Sequence, residues 1–460
     1  MMSHTPRVPF RISTYKKRRV FPLLKPELWL LIWLFFDFFI YNLSGNFLQL
    51  LPKAIQWFSD GIIVLLLSQV LIKRALNLEK VDSKTFIYFP VILFFSIITL
   101  SALVNQSDYG SFVLGLRFYL KFPLFYILLI NLDLSVSFYN NYKKWFQFGV
   151  LLQFPFVAFE YFVLGWKGDF AGGTLGPGGT THLGLMIALA TCIFLAKVSV
   201  DQKRILLNLT WIGLLLLTNV LAGVNGNLLL LIVQISFLIF MFFIDSRISI
   251  LRRLGLIVIS LALLWVIISV GKSLFLAVFP GNSIAADILE TPQIYWEQIV
   301  SATESDLNAG LSFNRLIDAR VAFKIVNRDR YLSFFGFGPY YFGESAVLSN
   351  DTAGRQLLLT LRLGSIQVSR TVLELGYLGI IASLMLMGAV WLEKRRYARQ
   401  AITLSQIELD RTVNLMIITF IGMAFYGPVW ITPHFAGPFW VWVASLRAEA
   451  EAIHIKSPHS

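Results

Sequence analysis

The sequence predicts an all-α integral membrane protein of about twelve transmembrane helices, and three observations lead there. Of 460 residues, 57% are hydrophobic and only 14% charged, with a mean hydropathy of +0.69. A soluble domain carries roughly 25% charged residues, so this chain cannot hide its apolar surface in a water-exposed fold. Apolar runs close to the ~20 residues that a spanning helix needs recur along the chain. The Lys and Arg residues fall mainly in the connections between those runs, and on alternate ones, as membrane orientation requires.

The predicted spans are 28–44, 55–72, 86–104, 111–130, 145–163, 181–198, 205–221, 228–244, 254–279, 372–391, 412–427 and 429–447. The segment 1–27 ahead of them is a basic tail with Arg7, Arg11, Lys16, Lys17, Arg18, Arg19 and Lys25. It resembles a signal anchor without a short apolar core and cleavage site, so it is expected to be retained. Its cations set topology, and they can also rest on anionic lipid. With this tail cytoplasmic, the inner segments, with Lys197 and Arg447 at the inner ends of their spans, hold 26 of the 39 Lys and Arg, while the short outer turns hold only Lys53 and Lys167. Nine spans over 28–279 are then followed by a large outward loop, 280–371, by three spans over 372–447, and by a cytoplasmic tail, 448–460. Long loops cross regardless of charge, so the eight cations of 280–371 do not oppose this arrangement.

The net charge of +13 does not indicate a nucleic-acid partner, because it is spread over span connections. The single Cys192 leaves no intramolecular disulfide. Gly427-Pro428, Pro433 and Gly437-Pro438 interrupt the last two spans, which suggests a broken or re-entrant helix covered by protein. No internal repeat is visible, and the very unequal outer loops weigh against a transporter of two matched halves.

The loop 280–371 is the part large and polar enough to build a site outside the bilayer. Its first part, to Leu311, has five carboxylates and no Lys or Arg; from Ser312 to Thr371 there are eight cations against four acids. Ser312 to Asp329 reads as a helix with an apolar stripe of Leu316, Ala319, Phe323 and Val326, leaving Arg315 with Asp318 and Arg320 with Lys324 off it. The run Phe334–Gly343 then breaks the helix; its glycines permit a tight turn and its aromatics suit the headgroup level.

No phosphate-binding GxxxxGK[ST] loop, HExxH, paired-Cys spacing, DxD or GxSxG sequence is present. No metal or nucleotide cofactor is expected. The chemistry left is that of a donor activated in advance, a lipid-linked diphosphate sugar. Arg suits it, since a guanidinium makes paired hydrogen bonds to phosphate oxygens and stabilises charge on a departing diphosphate.

Three stretches sharpen this. Phe313-Asn-Arg315-Leu-Ile-Asp-Ala-Arg320 followed by Phe335-Gly-Phe-Gly338-Pro-Tyr-Tyr-Phe342 resembles the outer loop of the O-antigen polymerase and O-antigen ligase family. Ser369-Arg370-Thr-Val-Leu-Glu374-Leu-Gly376-Tyr-Leu-Gly379 resembles that family's approach to the next span, and Gly173-Thr-Leu-Gly176-Pro-Gly-Gly-Thr-Thr-His182 its glycine-rich turn after the fifth. The resemblance implies a GT-C-like membrane glycosyltransferase that acts without a metal on undecaprenyl-diphosphate-linked oligosaccharide, inverting at the anomeric carbon. Its partners would be membrane lipids, a flippase and a chain-length regulator, and its place the bacterial cytoplasmic membrane with both termini cytoplasmic.

Family ligases carry His-Asn where this chain has Ser369-Arg370, and that His is their presumed base. Its absence shifts weight from ligase to polymerase. An expected Ser-Arg-Gly turn is here Gly223-Val-Asn-Gly-Asn227, and Lys167 stands where an Arg is expected.

On this reading Arg315, Arg320 and Arg370 hold diphosphate, assisted by Lys167 and Arg117, with Lys121 and His182 as further substrate contacts. Each has a plainer role open to it: Arg315 paired with Asp318, Arg370 and Glu374 as a local i, i+4 ion pair, His182 and His434 as helix-start residues. Glu374 either orients Arg370 or serves as base. Arg117 and Lys121 share a face within the fourth span, where charges default to functional hypotheses, and need an anionic partner: Asp37, Glu160 or a ligand. Lys272 is expected to snorkel to the outer surface.

Overall fold

The computed structural model describes residues 26–35, 57–76, 85–132, 134–224, 226–244, 249–278, 314–342, 364–398, 403–425, 427–430 and 432–456. Among the described residues the regular structure is entirely helical. In chain order the helices are α1 (Pro26–Phe35), α2 (Trp57–Ala75), α3 (Tyr88–Val104), α4 (Tyr109–Asn131), α5 (Val136–Leu151), α6 (Gln153–Phe162), α7 (Thr180–Val200), α8 (Ile205–Leu221), α9 (Gly226–Ile244), α10 (Ile250–Val278), α11 (Asn314–Val326), α12 (Arg330–Phe335), α13 (Gln367–Ala398), α14 (Leu404–Met423) and α15 (Pro433–Lys456). Each predicted span falls wholly or partly on one of them. Three stretches, Tyr109–Asn131, Thr180–Val200 and Gln367–Tyr397, are long and apolar enough to cross a membrane; Tyr88–Val104, Ile205–Leu221, Leu230–Ile244 and Arg253–Ile267 are shorter apolar helices. The basic tail to residue 25, Asp37, the acidic first part of the loop, Arg355 and Arg362, and the side chains of Lys272 and Arg315 lie outside the described residues.

The helix at the centre is α7, of whose apolar window 94% is buried. It is apolar all round, as a helix surrounded by others must be, and packs against α8, α9, α14 and α15. Gly184, Ala188, Ala190 and Ala196 let neighbouring backbones come close. The polar contacts that remain are interhelical: the buried Gln234 amide donates to Ala188 O at 3.0 Å and to Thr419 Oγ1 at 2.8 Å, and accepts from Thr191 Oγ1 at 3.0 Å. At the periphery, α2 and α10 expose Val64, Leu65, Leu71, Leu251, Val258 and Trp265. Apolar surface on that scale suits lipid rather than water.

Several boundaries differ from those predicted, each for a local reason. The fifth span starts early, at Val136 behind a Ser135 cap that accepts from Phe138 N, and breaks at Leu152. Pro155 has no N–H to continue the ladder through that point. The tenth runs from Gln367 to Ala398 across a non-helical Gly376. The eleventh starts at Leu404, where Thr403 and Gln406 form a capping box. It therefore carries Asp410 and Arg411 inside the bundle: Lys394 Nζ lies 2.6 Å from Asp410, and Arg411 donates to Ser199 O at 3.0 Å. The interruption is found between Met423 and Pro433, where protein covers the described residues. Gly437-Pro438 do not interrupt: α15 runs unbroken through them with Pro438 inside the helix. Val429 and Trp430 are buried, and Gly427 O accepts from Gln367 N.

The loop helix is also corrected. It spans Asn314–Val326, and its buried side is formed by Ile317, Asp318, Ala319, Val321, Ala322 and Val326. Asp318 thus faces inward. Phe337, Tyr341 and Phe342 pack on one another and on α11 and α13 instead of forming an exposed belt, although Tyr331 and Phe334 remain exposed.

Candidate functional site

The site is assembled where α13 begins. Asp318, buried on α11, accepts from the backbone N–H groups of Gly364 at 2.8 Å and Ser365 at 3.0 Å, and from the hydroxyls of Ser365 at 2.9 Å and Ser369 at 2.8 Å. These amides precede a helix and have no partner within it, so one carboxylate ties the loop helix to the start of α13. Burial pushes the Asp318 carboxyl above its ordinary value, and the hydrogen bonds pull it back.

Nine residues on, Gly376 adopts φ 64° and ψ −159°. The break leaves the carbonyls of Leu373 and Glu374 for other donors, and the amides of Phe337 and Gly338 take them at 2.7 and 3.2 Å. This approach needs glycine on both sides. A Cβ on Gly336 would lie 2.5 Å from Glu374 C, and one on Gly376 2.4 Å from Phe334 C. The two glycine motifs noted separately in the sequence are therefore a single backbone junction. Ser101 on α3 adds hydrogen bonds to the carbonyls of Phe335 at 2.6 Å and Glu374 at 3.2 Å.

That junction fixes Glu374 and, through it, Arg370. Glu374 is fully buried; Oε1 accepts from Arg370 Nε at 3.0 Å and Phe342 N at 3.2 Å, and Oε2 accepts from the Tyr119 hydroxyl at 2.9 Å. With both oxygens occupied, Glu374 is an orienting group and is poorly placed as a base. The Arg370 guanidinium carbon lies 4.0 Å from the Phe118 ring centre and 5.3 Å from that of Tyr340, so the cation is held between aromatic faces. Its Nη2 is buried and has no hydrogen-bond partner among the described residues. A buried donor without an acceptor is expensive and suggests a ligand. Tyr340 itself has φ 61°, a left-handed conformation costly for a side chain of its size. It follows Pro339, whose Cβ fills the space that a Cβ on Gly115 of α4 would occupy.

The structure separates the other candidates. Arg320 is exposed, about two residues of helical rotation from Asp318 and so on the far face of α11. Lys167 is exposed over the Tyr161 ring at 5.7 Å, and His182 is exposed at the start of α7. The glycine-rich turn between them is anchored from α6: Gly173 N donates to Glu160 at 2.6 Å and Thr174 N to Gln153 at 3.0 Å. Glu160 is thereby engaged, and Asp37 lies outside the described residues. The anionic partner of Arg117 and Lys121 is Asp60, at 2.8 and 2.5 Å. Asn227, in the first turn of α9, is a structural tie, donating to Gly184 O at 2.8 Å and Asn219 Oδ1 at 2.9 Å.

Sequence reasoning missed Asp60, Tyr119 and Ser101. Asp60 was open to discovery, since the rule that singles out charges inside apolar runs applies to it as much as to Arg117. Tyr119 and Ser101 carry no comparable signal, because hydroxyls are common in spanning helices. A scan against models of protein families finds none that matches the chain, and a search of curated proteins finds none similar to it.

Proposed function

We propose that the protein is a membrane glycosyltransferase that polymerises undecaprenyl-diphosphate-linked oligosaccharide at the outer face of the bacterial cytoplasmic membrane. The observation that carries this reading is Arg370: buried, oriented by Glu374, and retaining an Nη2 with no partner among the described residues. Such a guanidinium suits a phosphate oxygen. In the reaction an acceptor sugar hydroxyl forms a bond to the donor's anomeric carbon, and the bond from that carbon to the diphosphate breaks. The lipid diphosphate leaves carrying the electron pair and takes up the proton that the acceptor hydroxyl loses, and Arg370 stabilises the charge it gathers. Glu374 positions Arg370. Arg315, whose side chain lies outside the described residues, is proposed beside Arg370; Arg320, exposed on the far face of α11, and the exposed Lys167 and His182 are not counted in this set.

The twelve-span arrangement, GT-C-like layout, outward loop and cytoplasmic termini belong to the same proposal. So do the expected partners: lipid, a flippase and a chain-length regulator. Position 369 favours polymerase over ligase. Where family ligases place a histidine, Ser369 is buried and bonded to Asp318. No observation favours a solute transporter.

The test is Arg370→Ala and Arg370→Lys in the native host, with membrane abundance checked by immunoblot and polysaccharide length by gel. Loss of long chains in both variants at normal abundance is expected, because Lys cannot bond Glu374 and a phosphate with one planar group. Normal chain length in Arg370→Ala would end this reading.

A further inference from the structure

We infer that the Arg117–Lys121–Asp60 cluster is a second diphosphate site, which takes the headgroup of the other lipid-linked substrate. The inference rests on the polymerase reading, in which two isoprenoid diphosphates, donor and growing chain, must be bound at once.

The cluster has unequal charge. Two cations share the carboxylate of Asp60, which among the described residues leaves one positive charge in a part of α4 where charge is costly. Arg117 uses Nε for Asp60 at 2.8 Å, its side chain is 28% exposed, and its guanidinium carbon lies 4.5 Å from the Trp57 ring centre. Lys121 is buried and also donates to Ser59 Oγ at 3.2 Å. Arg117 lies on a stripe of α4 that starts at the helix's first residue. Tyr109, Val113 and Arg117 follow at i, i+4 and i+8, the first two exposed, and Arg117 sits about 12 Å along the helix from its first residue. This stripe gives an anionic headgroup a path from the outer end to the cations, while exposed Val64 and Leu65 on α2 offer apolar surface to an isoprenoid tail.

The two cationic positions are neighbours. Phe118, whose ring faces Arg370, is the residue after Arg117, so α4 presents one site on each of two adjoining faces. Two diphosphates held this way would have their sugars on the same outer side, one as leaving group and one as carrier of the acceptor.

Purified protein in nanodiscs is titrated with a short-chain isoprenoid diphosphate, inorganic diphosphate and an anionic phospholipid, and bound equivalents are counted by native mass spectrometry. Wild type is expected to bind two isoprenoid diphosphates. Arg117→Gln/Lys121→Gln is expected to bind one, its second affinity weakened roughly tenfold or more, and Arg370→Gln is expected to retain the one on α4. Asp60→Asn, by releasing both cations, is expected to bind more tightly. Two equivalents retained in the double variant, with only thermal stability lowered, would make the cluster a structural ion pair and overturn the inference while leaving the Arg370 reading intact. Inorganic diphosphate or phospholipid competing as well as the isoprenoid would also overturn it, as an anion site without specificity for the carrier. Loss of binding only in Arg370→Gln would do the same.

Discussion

Oδ2 of Asp318 accepts a hydrogen bond from the hydroxyl of Ser369 at 2.8 Å, so the loop helix is tied to the first turn of α13. That hydroxyl is used in the tie, and the next residue, Arg370, keeps a buried Nη2 with no partner among the described residues. Local capping and proposed chemistry are consecutive in the chain here, which makes each testable through the other.

Asp318→Ala removes the acceptor of two hydroxyls and at least two backbone amides. A loss of about 2–3 kcal/mol in unfolding free energy is expected, read as a lower midpoint in detergent, with Asp318→Asn intermediate. Burial raises the Asp318 carboxyl above 3.8, so the folded chain holds this proton more tightly than the unfolded one. Stability contributed through this group is therefore full below the ordinary value and declines as pH rises through the raised one. The gap between wild type and Asp318→Asn should widen as pH falls toward the ordinary carboxylate value and narrow as pH rises.

Glu374→Gln separates orientation from base catalysis. An amide oxygen can still accept from Arg370 and Phe342, so an orienting residue predicts polymer shortened but present, against none in Glu374→Ala. A general base predicts both variants equally inactive. Chain-length profiles at matched abundance, together with the pH dependence of synthesis in membranes, decide between them.

Gly336→Ala and Gly376→Ala each place a Cβ within 2.6 Å of backbone atoms at φ near 65°. Each should cost about 2 kcal/mol or more, and the two should not add, because either one opens the same junction. Gly388→Ala, with no atom within 4 Å of the added Cβ, should be neutral or stabilising by about 0.5–1 kcal/mol. Thermal midpoints of the purified variants give the comparison.

Gln234→Leu breaks the hydrogen bonds that join α7, α9 and α14. Interhelical hydrogen bonds in bilayers average only about 0.6 kcal/mol, so a loss near 1–2 kcal/mol is expected, with synthesis retained. A larger effect on polymer length than on stability would give this cluster a functional role that the reading above does not assign to it.

Much of the helical layout was legible from the sequence, because apolar runs of bilayer length admit few structures other than helices. The span at 205–221 and the loop helix near 314–326 could both be placed from it. The face that the loop helix buries was legible in part: Ala319 and Val326 of the predicted stripe are buried and Phe323 is half-buried, but the tie to residues 364–369, which turns Asp318 inward, was not foreseen. The sequence likewise supplied Arg370 and Glu374 as an i, i+4 pair and Arg117 with Lys121 as two cations lacking an anion. It did not supply their partners, since Asp60, Tyr119 and Phe118 meet them only through packing between helices distant in the chain. Composition and local spacing thus determined what the chain is made of and which residues carry charge into it. Tertiary structure decided which charges pair with one another and which nitrogen, Nη2 of Arg370, has no partner among the described residues, because pairing depends on distance in space and the sequence records distance only along the chain.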